Sequence, residues 1–356
     1  AAVLAVVSAF FVPPDAQYLG YIDLRTLAIL FSLMTVMAGL RRQGFFDGLG
    51  RALLSRTHST FQLTMVLVGL CFFGSMFITN DVSLLTFVPF TFVVLTRLGA
   101  DVRRALLIPV VCMQTVAANL GGMLTPFGNP QNLYLYNRFN IPTGEFFSIM
   151  LVPTLFSVLL IALCCIFVRR EPIEAIEEAE YKLNKPKTVV YFILFAYMIL
   201  LVFRVVPVLT GLLVIPVLLI IDRNALIKVD YSLLFTFCMF FIFTGNLARI
   251  EAVDAFFRML LSRNVLLTGV ISCQLISNVP SAVLLSGFTS DYARLLVAVN
   301  IGGTGTLISS MASLISFKSF SLYKPRERVK YLMINAAVNF SFLIVLTVFC
   351  LFVPFW

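Results

Sequence analysis

At 356 residues the chain is long enough for one large domain or two ordinary ones, yet 60% of it is hydrophobic, 12% is charged and 36 residues are phenylalanine. So few charges cannot screen so much apolar surface from water, so the solvent around this chain is lipid. That excludes a secreted disulfide domain, a nucleic-acid reader and a disordered linker, and it argues against a soluble enzyme; the net charge of +9 reads as basic loops on a cytoplasmic face.

Taken in order, the opening AAVLAVVSAFFVPP has no basic leader and no initiator Met, and reads as a helix from a trimmed start, not as a signal peptide. Spanning helices are predicted near 1–13, 21–40, 145–168, 188–203, 207–221, 230–247 and 329–353. Residues 42–56 and 249–263 are amphipathic and basic and read as interfacial helices. Two apolar regions are interrupted. In each, a hairpin (60–97, 264–290) is followed by a helix broken in its middle (105–138, 292–317). The mixed-charge stretch RREPIEAIEEAEYKLNKPK at 169–187 reads as a solvated cytoplasmic linker between the halves 1–168 and 188–356. The seven cysteines form no CxxC pair and the single His58 has no ligand-like neighbours, so neither a transition-metal site nor a disulfide framework is expected.

The halves resemble each other. GLRRQGFFDGLGRALLSR (39–56) aligns without gaps to NLARIEAVDAFFRMLLSR (246–263), with eight identities in 18 positions. VAANLGGMLTPFGNPQNL (116–133) aligns with VAVNIGGTGTLISSMASL (297–314), matching Asn119 with Asn300, Gly121 with Gly302, Gly122 with Gly303 and Thr125 with Thr306. TNDVS (79–83) and SNVPS (277–281) lie between them in the same order. Three ordered matches argue for a duplication. If each hairpin enters and leaves on one side and each broken helix crosses once, five crossings separate the 1–13 helix from its counterpart at 207–221, so the repeats are inverted. The leading helix 188–203 then has no partner within the chain. In that topology 19 of the 26 Lys and Arg residues fall on one side, which marks it as cytoplasmic and puts the C-terminus on the other.

Asn119, Gly121, Gly122, Pro126, Gly128 and Pro130 break the first long helix, and Asn300, Gly302, Gly303 and Gly305 break the second. Backbone freed from helical bonding is tolerated only inside protein or along a polar cavity, and matched breaks in two halves point to a transporter's central site. Four helix N-termini, near Asp81, Thr125, Pro280 and Thr306, are expected to meet there and to seat an anion without a buried Arg. Asp81 is the one acid well inside the membrane body, and an intramembrane carboxylate is a functional candidate. It carries a proton, ligates Na⁺ or caps its half-helix; its counterpart is Val279. Arg25 and Arg204, near helix ends, are expected to snorkel to headgroups.

NLGGMLTPFGNPQNL at 119–133, supported by TND (79–81), SNVPS (277–281) and NIGGTGTLISS (300–310), resembles the ion transporter superfamily of divalent-anion/sodium symporters, citrate-type permeases, arsenite permeases and sodium/proton antiporters. The wording is most similar to bacterial citrate-transporter-like permeases. The resemblance implies an all-α polytopic membrane protein of two inverted repeats, each with a re-entrant hairpin and a broken transmembrane helix. It also implies a transport domain sliding past a scaffold that is often dimeric. In the divalent-anion branch Ser-Asn-Thr at each tip holds Na⁺ and contacts the carboxylate. Here Thr79-Asn80-Asp81 and Ser277-Asn278-Val279 keep the first two positions and depart at the third. Those tip residues, Val279 excepted, are the expected coupling-ion set.

The function expected is an inner-membrane secondary transporter of a small anion, a di- or tricarboxylate first, driven by Na⁺ or H⁺ with no other cofactor. The expected substrate contacts are Asn80, Asn119, Gly121, Gly122, Thr125, Gly128, Asn129, Asn278, Pro280, Ser281, Asn300, Gly302, Gly303, Thr306, Ser309 and Ser310. Partners are the lipid bilayer and a second copy of the chain. An arsenite permease or Na⁺/H⁺ antiporter on the same scaffold is the alternative, and a passive channel is less favoured.

Overall fold

A computed structural model describes residues 1–173 and 185–353. Most of the linker, and the last three residues on which the C-terminal expectation falls, lie outside the described residues. Among the described residues the fold is helical, and the same order of elements occurs twice. The first half runs α1 (Ala2–Phe11), α2 (Gln17–Tyr21), α3 (Leu24–Arg42), α4 (Phe45–Leu54), α5 (Thr60–Ile78), α6 (Asn80–Thr96), α7 (Ala100–Gly121), α8 (Pro130–Arg138) and α9 (Thr143–Ile166). After α10 (Lys185–Val202) come α11 (Val214–Ile221), α12 (Arg223–Ile227), α13 (Tyr231–Leu247), α14 (Glu251–Arg263) and α15 (Val265–Ile276). The chain closes with α16 (Asn278–Leu285), α17 (Tyr292–Ile301), α18 (Met311–Tyr323) and α19 (Arg328–Phe352).

The starts of matching helices use the same chemistry. A carboxylate caps α3 (Asp23, accepting from the Thr26 N–H) and α13 (Asp230, from the Leu233 N–H). The first hairpin arms are capped by Ser59 and Asn264. Each cap takes up an N–H that the first helical turn leaves open.

Among the described residues, six helical stretches are long and apolar enough to cross a membrane, namely Leu24–Arg42, Thr60–Ile78, Ala100–Leu124, Thr143–Ile166, Lys185–Val202 and Pro325–Phe352. Three expected spans fall short of that test. Helix α1 has 10 residues, and the apolar helix at Val208–Ile221 is a 3₁₀ turn running into α11. Helix α13 has 17 residues and qualifies only together with α14, from which it is bent by 100°. At 1.5 Å per residue, 10 residues cover about half of a hydrocarbon core. Helix α5 departs the other way, since the first arm of the hairpin is itself as long as a span. Leu151, Leu155, Leu159 and Leu163 form an exposed stripe at helical spacing along α9, a face suited to lipid.

Both interrupted regions fold back on themselves. The Gln114 side chain donates to the Leu67 carbonyl at 3.1 Å and to the Thr91 hydroxyl at 2.8 Å, groups equally far from Thr79 on the two arms α5 and α6. In the second hairpin Ser272 and Ser281 meet at 2.8 Å across α15 and α16.

The hairpins open toward opposite ends of the molecule. At one end the Phe92 and Tyr323 rings stack at 4.3 Å, Ser59 bridges Pro172, and Arg42 pairs with Asp222 at 2.8 Å. These contacts gather the basic segments 41–56, 169–173 and 318–330. At the other end the Tyr292 hydroxyl donates to Glu145 at 2.6 Å and stands near Phe139. Helices α7 and α17 therefore start at opposite ends and run inward to their breaks. Between the hairpins α7 forms the centre, with 94% of its apolar window buried.

Two polar residues sit differently from expectation. Arg204 does not reach outward. It donates to the Tyr136 carbonyl at 2.6 Å and the Ile141 carbonyl at 3.2 Å, with its guanidinium 4.3 Å above the Tyr136 ring. It thus adds a second donor to the Tyr136 carbonyl, which already accepts from the Ile141 N–H, and binds the Ile141 carbonyl just past the end of α8. Asp222 is a second buried acid, 7% exposed, and accepts from Arg42, Gln43 and Tyr191. Its place between α11 and α12 made it look like a loop residue.

Candidate functional site

Each hairpin turns on a single non-glycine residue with positive φ: Thr79 at φ 66°, ψ 151° and Ser277 at φ 80°, ψ 157°. L-residues almost never occupy that region, and holding one there costs about 1–3 kcal/mol. The same set of bonds fixes both turns. The next N–H, of Asn80 or Asn278, donates to the carbonyl of Gly128 (3.2 Å) or Ser309 (2.9 Å) in the facing break. The Thr125 and Thr306 hydroxyls donate to the carbonyls of Met76 and Gln274, three residues before each turn. The Asn80 and Asn278 side-chain oxygens each accept from the following backbone N–H at 2.9 Å. Gly128 and Ser309, like Thr125 and Thr306, are the positions that the sequence alignment equates, so the two turns share these three kinds of bond.

These bonds alter the expected anion seat. The first two N–H groups of α6 and of α16 are already used, and the third residue of α16 is Pro280, which has none. The half-helices after the breaks start at Pro130 and Met311, not at Thr125 and Thr306, because the threonines are drawn away to pin the tips. Polar chemistry at the centre is therefore carried mainly by side-chain amides.

Those amides converge. Asn80 donates to Asn119 at 3.2 Å, and Asn129 donates to Asn300 at 3.0 Å across the two halves. Gly303 lies beside both: a Cβ there would stand 3.0 Å from the Asn278 amide nitrogen and 3.7 Å from the Asn119 oxygen. The buried Asn119 amide nitrogen and the Asn129 and Gln131 side-chain oxygens have no hydrogen-bond partner. An orphaned buried polar atom is costly, and several together mark where a polar ligand would be satisfied.

Other expected contacts turn elsewhere. Ser281 faces Ser272 inside its own hairpin, Ser309 bonds Gly303 and Thr306, and Ser310 caps α18. Gly121 and Gly302 pack against Phe72 and Cys273 of the first hairpin arms, and Gly122 faces Gly128 and Asn129.

Two structural amides escaped the sequence reading. Asn132 donates to the carbonyls of Gly122, Met123 and Thr125, and Gln274 donates to those of Gly302 and Thr304 while accepting from the Thr306 N–H. They take up the backbone groups that the breaks release. A glutamine inside an apolar helix was the available signal for Gln274 and Gln114.

Asp81 stands apart from the amide cluster. It lines a cleft of about 140 Å³ between hairpin and α3, together with Thr79 and Asn129, and its Oδ1 is buried without a partner. No other carboxylate or imidazole joins it as a metal cluster among the described residues.

Residues 1–294 match the family described as citrate transporter. The chain belongs to that family. It is 31% identical over 334 residues to an uncharacterized transporter of Methanocaldococcus jannaschii, covering 92% of this chain and 89% of that one. It is 30% identical over 320 residues to the inner membrane protein YbiR of Escherichia coli, covering 87% and 84%. A shorter match, 32% identical over 114 residues, links 32% of this chain to 22% of a silicon efflux transporter of Oryza sativa. This is a multi-pass membrane protein of a transporter family, and the pinned breaks are what distinguish it from a plain helical bundle.

The glycines at the breaks are a first test of that packing. A Cβ on Gly121 would lie 2.1 Å from the Phe72 carbonyl oxygen, which is backbone and has no room to yield. Gly121→Ala should therefore lower the thermal midpoint of purified protein sharply, by about 1–3 kcal/mol of overpacking or more. Gly20→Ala, where a Cβ meets open space, should leave it unchanged. Equal midpoints for the two variants would show that α5 and α7 are not in contact at Gly121.

Proposed function

We propose that this transporter is a secondary active carrier of a small anion, with a di- or tricarboxylate as the preferred cargo, coupled to Na⁺ or H⁺ through Asp81. The observation that carries this reading is the amide cluster of Asn80, Asn119, Asn129, Asn278 and Asn300, held where two pinned tips meet two breaks, with the Asn119 N–H₂ unpaired. Neutral donors in a low-dielectric site can hold a carboxylate without trapping it as a buried Arg would. The two halves are read as a duplicated unit in inverted orientation. The hairpins, broken helices, α9 and α19 then form a transport body, while α1–α3 and α10–α13 form the scaffold past which it moves. The basic end is assigned to the cytoplasm.

One feature supports a second reading. The cluster also holds unpaired acceptors, Asn129 Oδ1 and Gln131 Oε1, which suit a ligand that donates as well as accepts, such as a hydroxylated oxyacid like arsenite. Uptake into proteoliposomes under Na⁺ and pH gradients imposed separately decides between them. Saturable, gradient-driven uptake of labelled citrate or succinate is expected and names the coupling ion. Gradient-driven movement of arsenite or silicic acid with no carboxylate uptake would transfer the assignment to the oxyacid reading. In the same assay Asn278→Ala should reduce uptake about tenfold or more without loss of folded protein, as loss of a buried amide contact costs about 1–3 kcal/mol; wild-type uptake would remove the second tip from the site.

A further inference from the structure

The cleft that reaches Asp81 has a particular mouth. Arg41, at the end of α3, and Lys228, just before α13, line it at the basic end, while Thr79, Asp81 and Asn129 form its floor. Asp230 also lines it and sets one negative charge against these two cations, its carboxylate accepting from the Leu233 N–H as the cap of α13.

The Arg41 side chain is held in place for a physical reason. Pro89 lies inside α6 and has no N–H to give the Leu85 carbonyl four residues earlier. Arg41 donates to that carbonyl at 3.0 Å instead. A scaffold guanidinium thus satisfies a backbone group of the hairpin and stays fixed beside the cleft.

A second cleft, of about 360 Å³, occupies the matching place between α13 and α16 at the opposite end. Its lining includes Tyr21, Asp23 and Ala248, which correspond in order to Lys228, Asp230 and Arg41. Its lining stops at Tyr134, which meets Ser286 at 2.8 Å, and includes neither tip residue Ser277 nor Asn278. Only the first of these two clefts reaches a hairpin tip, and its mouth sets Arg41 and Lys228 against Asp230, whereas the second cleft sets Arg138 against Asp23.

We propose that the cleft between α3 and the first hairpin is an anion-selecting portal from the basic end to the amide cluster, with Arg41 and Lys228 as its specificity-determining residues. The inference rests on the reading of that cluster as the transport site for an anion. An excess of positive charge, two cations against one carboxylate, over a narrow mouth with low-dielectric walls concentrates anions and turns back cations, an effect that salt screens. The orphaned Asp81 oxygen at the floor is then exposed to whatever the portal admits.

The test reads access, not transport, so it stands apart from the identity of the cargo. Ala38 lines the cleft about one turn below Arg41, and Ala38→Cys changes little volume. In protein carrying C164S and C238S, the variant is treated in proteoliposomes with anionic sulfonatoethyl and cationic trimethylammonioethyl methanethiosulfonates, each rate normalised to that of a free thiol. The anionic reagent should react about tenfold faster than the cationic one, only from the basic end, and the preference should shrink in high salt. K228Q should reduce the preference, and R41Q with K228Q should abolish it. R41K, which keeps both the charge and a donor for the Leu85 carbonyl, should retain the preference; if R41Q does not fold, R41K with K228Q should keep no more of it than K228Q alone. Ala248→Cys in the other cleft should show no such preference. Equal normalised rates at Ala38→Cys, or a preference that survives neutralisation of both residues, would overturn the portal. Charge-selective labelling without carboxylate uptake would instead count against the cargo assignment and leave the portal standing.

Discussion

Asn132→Ala is expected to cost the protein its fold. The Asn132 amide nitrogen donates to three carbonyls of the first break, at 3.2, 3.1 and 3.1 Å, and its oxygen accepts from Asn300. The side chain is fully buried, so no water replaces what it gives. The Thr125 carbonyl keeps the Gly128 N–H, whereas those of Gly122 and Met123 lose their donor. Each carbonyl left unsatisfied costs about 1–3 kcal/mol, and with the Asn300 bond also lost the total is a large share of the stability of an ordinary domain, about 5–15 kcal/mol. Gln274→Leu, which strips the second break of its three bonds, should behave alike. Asn132→Asp retains the acceptor for Asn300 but not the donor, and should fail too. The measurement is the yield of monodisperse protein and its thermal midpoint in detergent. Asn132→Ala with a wild-type midpoint would mean that water or lipid reaches the break and that the site is wetter than its burial implies.

The second large effect concerns coupling. Asp81→Asn keeps the shape of a side chain whose Oδ1 is buried without a partner and removes its charge and its proton. Gradient stimulation of uptake should fall about 5–150-fold, the range of a coupling energy of about 1–3 kcal/mol. The substrate concentration for half-saturation should move much less, because the amide cluster is untouched. Uptake by the variant should no longer respond to whichever of the two gradients, Na⁺ or pH, drives the parent. Unchanged dependence on both ions would reduce Asp81 to a structural residue of the hairpin.

The amide cluster and the portal place different demands on the same hairpin. Thr79 is strained and fixed by bonds to a break in the same half, whereas Arg41 reaches it from α3, on the other side of the cleft. Motion of the hairpin against α3 must break the bond to the Leu85 carbonyl and can leave the tip intact. Tips that stay rigid while the hairpin parts from α3 are what the proposed alternating access between two states of similar free energy would use.

Much of this was legible in the chain itself. The polytopic helical class follows from composition, since lipid leaves helices as the natural way to satisfy backbone groups over long apolar stretches. The interruptions at Thr79-Asn80, Gly121-Gly122, Ser277-Asn278 and Gly302-Gly303 were visible as polar or small residues inside apolar runs. Their equivalence was visible because the same residues recur in the same order. Asn80, Asn119, Asn129, Asn278 and Asn300 were all named from that pattern, and the structure brings them together.

What pattern could not give was direction. A side chain's type does not say which neighbour uses its hydrogen bonds: Thr125 and Thr306 hold backbone carbonyls, and Ser281 meets the Ser272 hydroxyl. The starts of α8 and α18 were misplaced by several residues for the same reason. Helix length was equally hidden: hydropathy marks what is apolar, and packing decides that α5 runs on as an unbroken 19-residue helix. Arg204, Asn132 and Gln274 gain their roles from backbone groups distant in sequence or released by a break, and Asp222 from the side chains of Arg42, Gln43 and Tyr191. Sequence by itself determined the solvent, the helical class, the doubled plan and the list of amides, because each is set by residue identity and order. Tertiary structure alone decided which of those amides remain unpaired and which cleft reaches Asp81, because hydrogen bonds are assigned only when distant segments meet.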